Sequence, residues 1–308
     1  MLFDESLHLA RVKQMLAAKY RRLAFISNSK PRREVLARKA TFYQRQAVKL
    51  LSRIKLGTFA NKIDHVLVPR IRKSVIPIVR EYWHAMEPGG TGNLFVIGGV
   101  RFLITAAHVI DGAVDNGIAM YVPKYQTGEL FQITGTRVRN KPLDIAALRF
   151  ANDVAVRLNG YTFLTPDDTD CRRIVPPPGL YYSYGFPKLG AFASIAEAKI
   201  RMSGFPIQAR PLERCARFLR RSPEYLWLHA YLNDCDLNGI SGSAIWRSIA
   251  DGESPASWKS DDAKIVAIET GTYERHTIIE GTRIRHAFRM ITQEWPEFAP
   301  ALQPYLAL

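Results

Sequence analysis

The chain has 308 residues, 47% of them hydrophobic, which fits a globular protein with a real core. No run of 18 apolar residues marks a membrane-spanning helix. The net charge of +15 is uneven: residues 1–80 hold 19 basic and 4 acidic side chains, and the remainder balances at 24 of each, so an electrostatic partner is expected at the N-terminal part alone.

Residues 3–26 carry Leu9, Val12, Leu16, Tyr20 and Leu23 at steps of three and four, one face of a helix. Ser27-Asn28-Ser29-Lys30-Pro31 breaks that pattern, and Pro31 suits the first turn of a new helix. Leu36, Ala40, Tyr43, Ala47, Leu50 and Ile54 then place a second helix over residues 32–56, ended by Gly57. A helical hairpin is the simplest arrangement of the pair. Residues 58–73 are a connector. From there the period changes. Val75–Val79, Leu94–Ile97, Phe102–Ala106, Ile145–Phe150, Leu180–Tyr184 and Ile265–Ile268 are short runs rich in β-branched and aromatic residues, as in an all-β barrel or sandwich. Pro176-Pro177-Pro178-Gly179 is a rigid stop among them, and residues 282–294 form an amphipathic helix with Ile284, Ala287, Phe288 and Ile291 on one side. The expected division is a basic helical extension, residues 1–73, and a β-rich domain, residues 74–308.

Three segments carry chemistry: Leu103-Ile104-Thr105-Ala106-Ala107-His108-Val109, Asp144-Ile145-Ala146-Ala147-Leu148 and Gly239-Ile240-Ser241-Gly242-Ser243-Ala244. A serine is a weak nucleophile until a base takes its proton, and the base works best when a carboxylate fixes its tautomer. Ser241 is the candidate nucleophile, with Gly239 and Gly242 letting the backbone bend tightly around it. The turn is expected to aim the N–H groups of Gly239 and Ser241 at one point, an oxyanion hole. His108 titrates near neutrality and is the candidate base. Asp144 lies among apolar residues that suggest a buried strand, where a carboxylate needs a partner. Asp111 is nearer to His108 in sequence but reads as a surface or capping residue.

These motifs resemble the trypsin-like, chymotrypsin-fold serine protease family. Ile104-Thr105-Ala106-Ala107-His108 matches the family's apolar-Thr-Ala-Ala-His segment, Asp144-Ile145-Ala146-Ala147-Leu148 its Asp-Ile-Ala-x-Leu, and Gly239-x-Ser241-Gly242-Ser243 its nucleophile turn. Gly90-Thr91-Gly92-Asn93-Leu94-Phe95-Val96 and Tyr184-Gly185-Phe186-Pro187 resemble an early strand and a Gly-[Tyr/Phe]-Pro turn of its bacterial members. The resemblance spans about residues 74–295. It implies two six-stranded antiparallel β-barrels, with the proline stop at the crossing between them. It implies peptide hydrolysis through an acyl-enzyme by His108, Asp144 and Ser241, without metal or cofactor. Ile240 stands where zymogens of the family carry an aspartate, so activation by a buried N-terminal ion pair is not expected.

The resemblance also puts Cys235 at the base of a substrate pocket, with Asp234 and Asp236 beside it and Glu269 on the wall. Acidic residues there favour Lys or Arg in the substrate by charge pairing; the alternative is solvated loop charge. Cys171, Cys215 and Cys235 show no metal-ligand spacing, and with no signal sequence at the N-terminus they fit a reducing cytoplasm. The basic helices admit a protein regulator, an anionic partner such as nucleic acid or acidic lipid, or a plain solvated face. The rival to an enzyme is a protease fold used only for binding, its basic N-terminus contacting nucleic acid or protein.

Overall fold

The computed structural model describes residues 3–46 except 28, 30, 37, 41, 44 and 45, and residues 65–307 except 83–84, 116, 172–178, 189–191, 195–198, 203, 213–221, 231–236, 251–257 and 274–277. The chain falls into two compact units, residues 1–63 and 64–308.

In the first unit α1 spans Phe3–Ile26, as the apolar spacing predicts, and helical turns resume at residue 31. The two segments meet through their aromatic stripe. Tyr20 stacks on Tyr43 with centroids 5.5 Å apart, Lys13 caps the Tyr43 ring, and Lys39 caps Tyr20. Cations over aromatic faces let a basic hairpin bury rings without burying charge alone. Residues 47–56, the second half of the expected helix, lie outside the described residues.

The second unit opens with a helix over residues 65–74, part of the expected connector, with Leu67 and Ile71 fully buried. A sheet of seven strands follows: β1 (Val75–Tyr82), β2 (Ala85–Ile97), β3 (Val100–Thr105), β4 (Met120–Pro123), β5 (Leu130–Gln132), β6 (Gly135–Asn140) and β7 (Ile145–Phe150), in the order β5-β4-β1-β2-β3-β7-β6. Its edge strands β5 and β6 are successive pieces of one chain segment, interrupted at Ile133 and Thr134. The sheet therefore curls until one segment borders both edges, which reconciles seven strands with the expected six-stranded barrel. Gly135 makes the bend possible. A Cβ there would lie 2.0 Å from the Arg149 carbonyl oxygen, so only glycine lets the two backbones approach.

Strands β8 (Gly179–Gly185), β11 (Phe205–Pro211), β12 (Tyr225–Ala230), β13 (Ala244–Ala250), β14 (Lys264–Tyr273) and β15 (Ile278–Arg283) close a second, complete barrel in the order β11-β12-β15-β14-β13-β8. A small hairpin, β9 (Phe192–Ser194) and β10 (Lys199–Arg201), leaves it between β8 and β11. Each barrel has its own apolar core, built around Ile76, Leu94, Leu103 and Leu148 in one and Tyr181, Leu226, Ile245 and Ile279 in the other. The chain is thus mainly β, preceded by helices. After β15 come two helices, Ile284–Glu294 and Ala299–Leu306. The first of them sends Phe288 edge-on against Phe95 of β2, and Trp295 and Phe298 pack on Phe102 of β3. The C-terminal segment thereby lies across the first sheet and joins the two barrels.

Candidate active site

His108 lies in the first turn of α2 (Ala107–Asp115), immediately after β3. Val109, Ile110 and Ala113 turn into the core, and the His108 ring faces outward with its side chain 50% exposed. Arg80 of β1 steadies this turn by donating to the carbonyls of His108 and Val109. Asp111 does not compete for the ring. It pairs with Arg139 of β6 at 2.6 Å, which ties the helix to the sheet below.

Asp144 is not inside a strand as its apolar neighbours suggest. It ends the turn before β7, in the left-handed backbone region at φ 50°, a conformation that costs a non-glycine residue about 1 kcal/mol or more. The geometry shows what that strain obtains. The Asp144 carbonyl accepts the Ala107 N–H at 3.1 Å, and Oδ1 accepts the His108 backbone N–H at 2.9 Å. Oδ2 lies 2.7 Å from His108 Nδ1. A carboxylate can only accept, so the proton of a neutral ring sits on Nδ1 and Nε2 is left with a lone pair. The second barrel braces this turn: Tyr225 of β12 donates to the Pro142 carbonyl at 3.0 Å, and Thr282 of β15 donates to that of Leu143.

Ser241 sits in the turn between β12 and β13, where Gly239 and Gly242 have φ of 101° and 92°. These values favour glycine, and neither position has room for more. A Cβ on Gly239 would lie 2.8 Å from the Phe186 carbonyl oxygen, and one on Gly242 2.1 Å from both Thr105 Oγ1 and the Thr91 carbonyl oxygen. Residues of the first sheet hold the turn in place. The Thr91 N–H donates to the Ser241 carbonyl at 2.8 Å, and Thr91 Oγ1 donates to that of Gly239 at 3.0 Å. Asn93 uses both ends of its amide. Nδ2 donates to the Gly242 and Ile104 carbonyls, at 2.7 and 3.1 Å, and Oδ1 accepts the Ala244 N–H at 2.9 Å. The sequence shows Thr91 and Asn93 only as part of a glycine-rich motif; their two-ended chemistry in an otherwise apolar strand is the signal for this role.

The two halves of the site meet at Gly90. A Cβ there would lie 2.6 Å from a Val109 methyl and 2.9 Å from the Ser241 carbonyl oxygen, so the start of α2 and the serine turn converge on one glycine. Among the described residues, no hydrogen bond joins Ser241 Oγ to His108, and none occupies the N–H of Gly239 or Ser241. The side chain that faces Ser241 is Glu269 of β14. It is fully buried, and neither carboxyl oxygen has a hydrogen-bond partner. Burial pushes its pKa up to about 8 and the Asp144 carboxylate adds to that, while the nearby Ser241 hydroxyl pulls the other way.

Glu269, expected on the wall of a substrate pocket, is buried behind the serine turn, and that burial favours its neutral form. Cys235, Asp234 and Asp236 lie outside the described residues. Cys171 is a buried thiol 3.5 Å from Thr169 Oγ1 and in no disulfide among the described residues, and Cys215 is not among them. Among the described residues no three His, Cys, Asp or Glu side chains are grouped to hold a metal ion, and no helix is long and apolar enough to cross a membrane.

A family model described as trypsin-like peptidase domain matches residues 90–253, just over half of the chain. Solved structures with similar chain traces include the active form of the Rv3671c protease from M. tuberculosis, at 16% identity and TM-score 0.45, covering 73% of this chain and 82% of that one. A Glu endopeptidase in complex with MPD aligns at 13% identity and TM-score 0.44, over 75% and 92%. Tobacco etch virus protease complexed with product aligns at 13% and 0.39, over 70% and 74%. None of the curated proteins matches the chain.

Proposed function

Because the chain belongs to the trypsin-like peptidase domain family, we propose that it is a serine endopeptidase whose triad is His108, Asp144 and Ser241. The observation that carries this reading is the carboxylate of Asp144, which grips both the backbone N–H and the ring Nδ1 of His108. That grip leaves Nε2 as the only basic nitrogen, on the helix end that shares Gly90 with the serine turn.

In the proposed mechanism His108 Nε2 takes the Ser241 proton as Oγ attacks the peptide carbonyl carbon. Asp144 stabilises the imidazolium that forms. The N–H groups of Gly239 and Ser241 donate to the oxyanion, a contribution often worth about 10² to 10³ in rate for each donor. The imidazolium then gives its proton to the leaving amine as the C–N bond breaks. Water repeats the sequence to release the acyl group and restore Ser241. Rotation of the Ser241 hydroxyl towards Nε2 completes the pair, as often happens only when substrate is bound.

A fluorophosphonate probe tests the reading. A single label at Ser241, absent in Ser241→Ala and greatly slowed in His108→Ala, supports it; an unlabelled chain overturns it in favour of a binding module. We also propose that the basic helical unit, residues 1–63, contacts a regulator or an anionic partner, since it holds most of the excess charge and exposes Met15, Phe25 and Phe42.

A further inference from the structure

The mechanism above leaves one buried acid unused. Glu269 is tied to the two residues that follow the nucleophile: its N–H donates to the Ser243 carbonyl and its carbonyl accepts the Gly242 N–H, both at 2.8 Å. These two bonds hold the Glu269 backbone against the C-terminal side of the Ser241 turn. Its side chain has no solvent exposure and no hydrogen-bond partner for either oxygen. The titratable groups that act on it are the Asp144 carboxylate of the β6–β7 turn and the Glu280 carboxylate of β15, which raise its pKa further, and the Ser241 hydroxyl opposes them. Glu280 is held by the Tyr273 hydroxyl at 2.6 Å. Among the described residues no cation pairs with Glu269.

A buried, unpaired carboxylate is costly, and the charges of Asp144 and Glu280 add to the cost, so Glu269 favours its protonated form. The two forms of a carboxyl group act on a neighbouring hydroxyl in opposite ways. The acid carries an O–H and can donate to Oγ; the carboxylate can only accept. A serine hydroxyl has one hydrogen, which goes either to Glu269 or to His108.

We propose that Glu269 is a positioning residue that directs the Ser241 hydroxyl. Holding its proton, Glu269 donates to Oγ and leaves the serine hydrogen for His108 Nε2. Deprotonated, it accepts that hydrogen and draws the nucleophile away from its base. This rests on Ser241 being the nucleophile. It predicts that activity falls at alkaline pH as Glu269 ionises, around its pKa of about 8.

The test is the rate of Ser241 labelling by a fluorophosphonate probe, measured from pH 5 to 10 on the full chain and on Glu269→Gln. The expected result is a bell for the native chain, with an upper midpoint near 8 and a drop of about tenfold one unit above it. Glu269→Gln keeps a donor but cannot ionise, so its rate should rise with pH and then stay level. A native chain that labels equally fast at pH 7 and 9.5 overturns the proposal without needing the variant. An alkaline fall of the same midpoint in a folded Glu269→Gln chain overturns it as well. In both cases labelling at Ser241 leaves the protease reading standing. Failure to label Ser241 at any pH overturns that reading and this proposal together.

Discussion

Replacing Glu269 by Gln should make the protein more stable, by an amount that grows with pH. The folded state holds the Glu269 carboxyl neutral to about pH 8, whereas its ordinary value is 4.5. Between those values the folded chain binds a proton that the unfolded chain has released. Folding stability from this group is therefore fully present below pH 4.5, falls as pH rises, and is lost once pH passes 8. Each pH unit in the window costs about 1.4 kcal/mol, which amounts to roughly 3 kcal/mol at pH 7. Gln cannot titrate, so the difference between variant and native chain should climb by that amount from pH 4.5 to 7 and flatten above 8. The slope is the informative quantity, because any misfit of the amide adds a constant. Urea unfolding followed by tryptophan fluorescence is the assay: all five tryptophans lie beyond residue 63 and Trp246 is fully buried, so the signal reports the β unit alone. A stability difference that does not change between pH 5 and 8 would refute the burial of an unpaired acid behind Ser241.

Ser241→Ala, His108→Ala and Asp144→Asn should each lower peptide hydrolysis by roughly 10³ or more, with double variants no worse than single ones, since the three act as a unit; additive losses in kcat/KM would contradict this. Gly242→Ala drives a methyl into Thr105 Oγ1 and the Thr91 carbonyl, so it should cost about 3 kcal/mol or more of stability by overpacking and backbone strain, read as a lowered urea midpoint. Deleting residues 1–63 should leave a folded β unit whose tryptophan emission is native-like but whose partner binding or basal activity has changed; an anionic partner should show affinity that falls steeply with salt, and an unaltered profile would remove the unit from function.

The β-strands that alternate or run apolar were legible because burial writes itself into the sequence: Ile145–Phe150 is expected and found as one strand. The first half of β2 was legible only in part. Gly90–Val96 is read as an early strand through the resemblance alone, and Met86-Glu87-Pro88-Gly89, outside every expected run, also pairs along β1 through Glu87↔Arg80 and Pro88↔Val79. Its glycines answer to tertiary approach by Val109, Leu103 and the Ser241 carbonyl, which local propensity does not encode. Asp144 shows the same limit: its motif points to the residue, but a single left-handed φ moves it from a strand interior to a turn. Glu269 could be found in sequence only as an acid near the site; whether it is a charged wall or a neutral acid depends on burial, which is a property of both barrels together.

The arrangement of the site explains why so many polar side chains sit between two apolar cores. The base and its carboxylate belong to the first sheet, the nucleophile to the second barrel, and a reaction between them tolerates displacements of only a fraction of an ångström. Apolar packing is non-directional and fixes such a register poorly. Hydrogen bonds fix it well, and an unpaired buried group costs about 1–3 kcal/mol. Asn93 bonds three backbone groups, Thr91 bonds two more, and Tyr225 and Thr282 brace the Asp144 turn from the second barrel. A slip between the barrels breaks several of these bonds at once, so the seam has one low-energy register, and that register is the one in which His108 and Ser241 share Gly90.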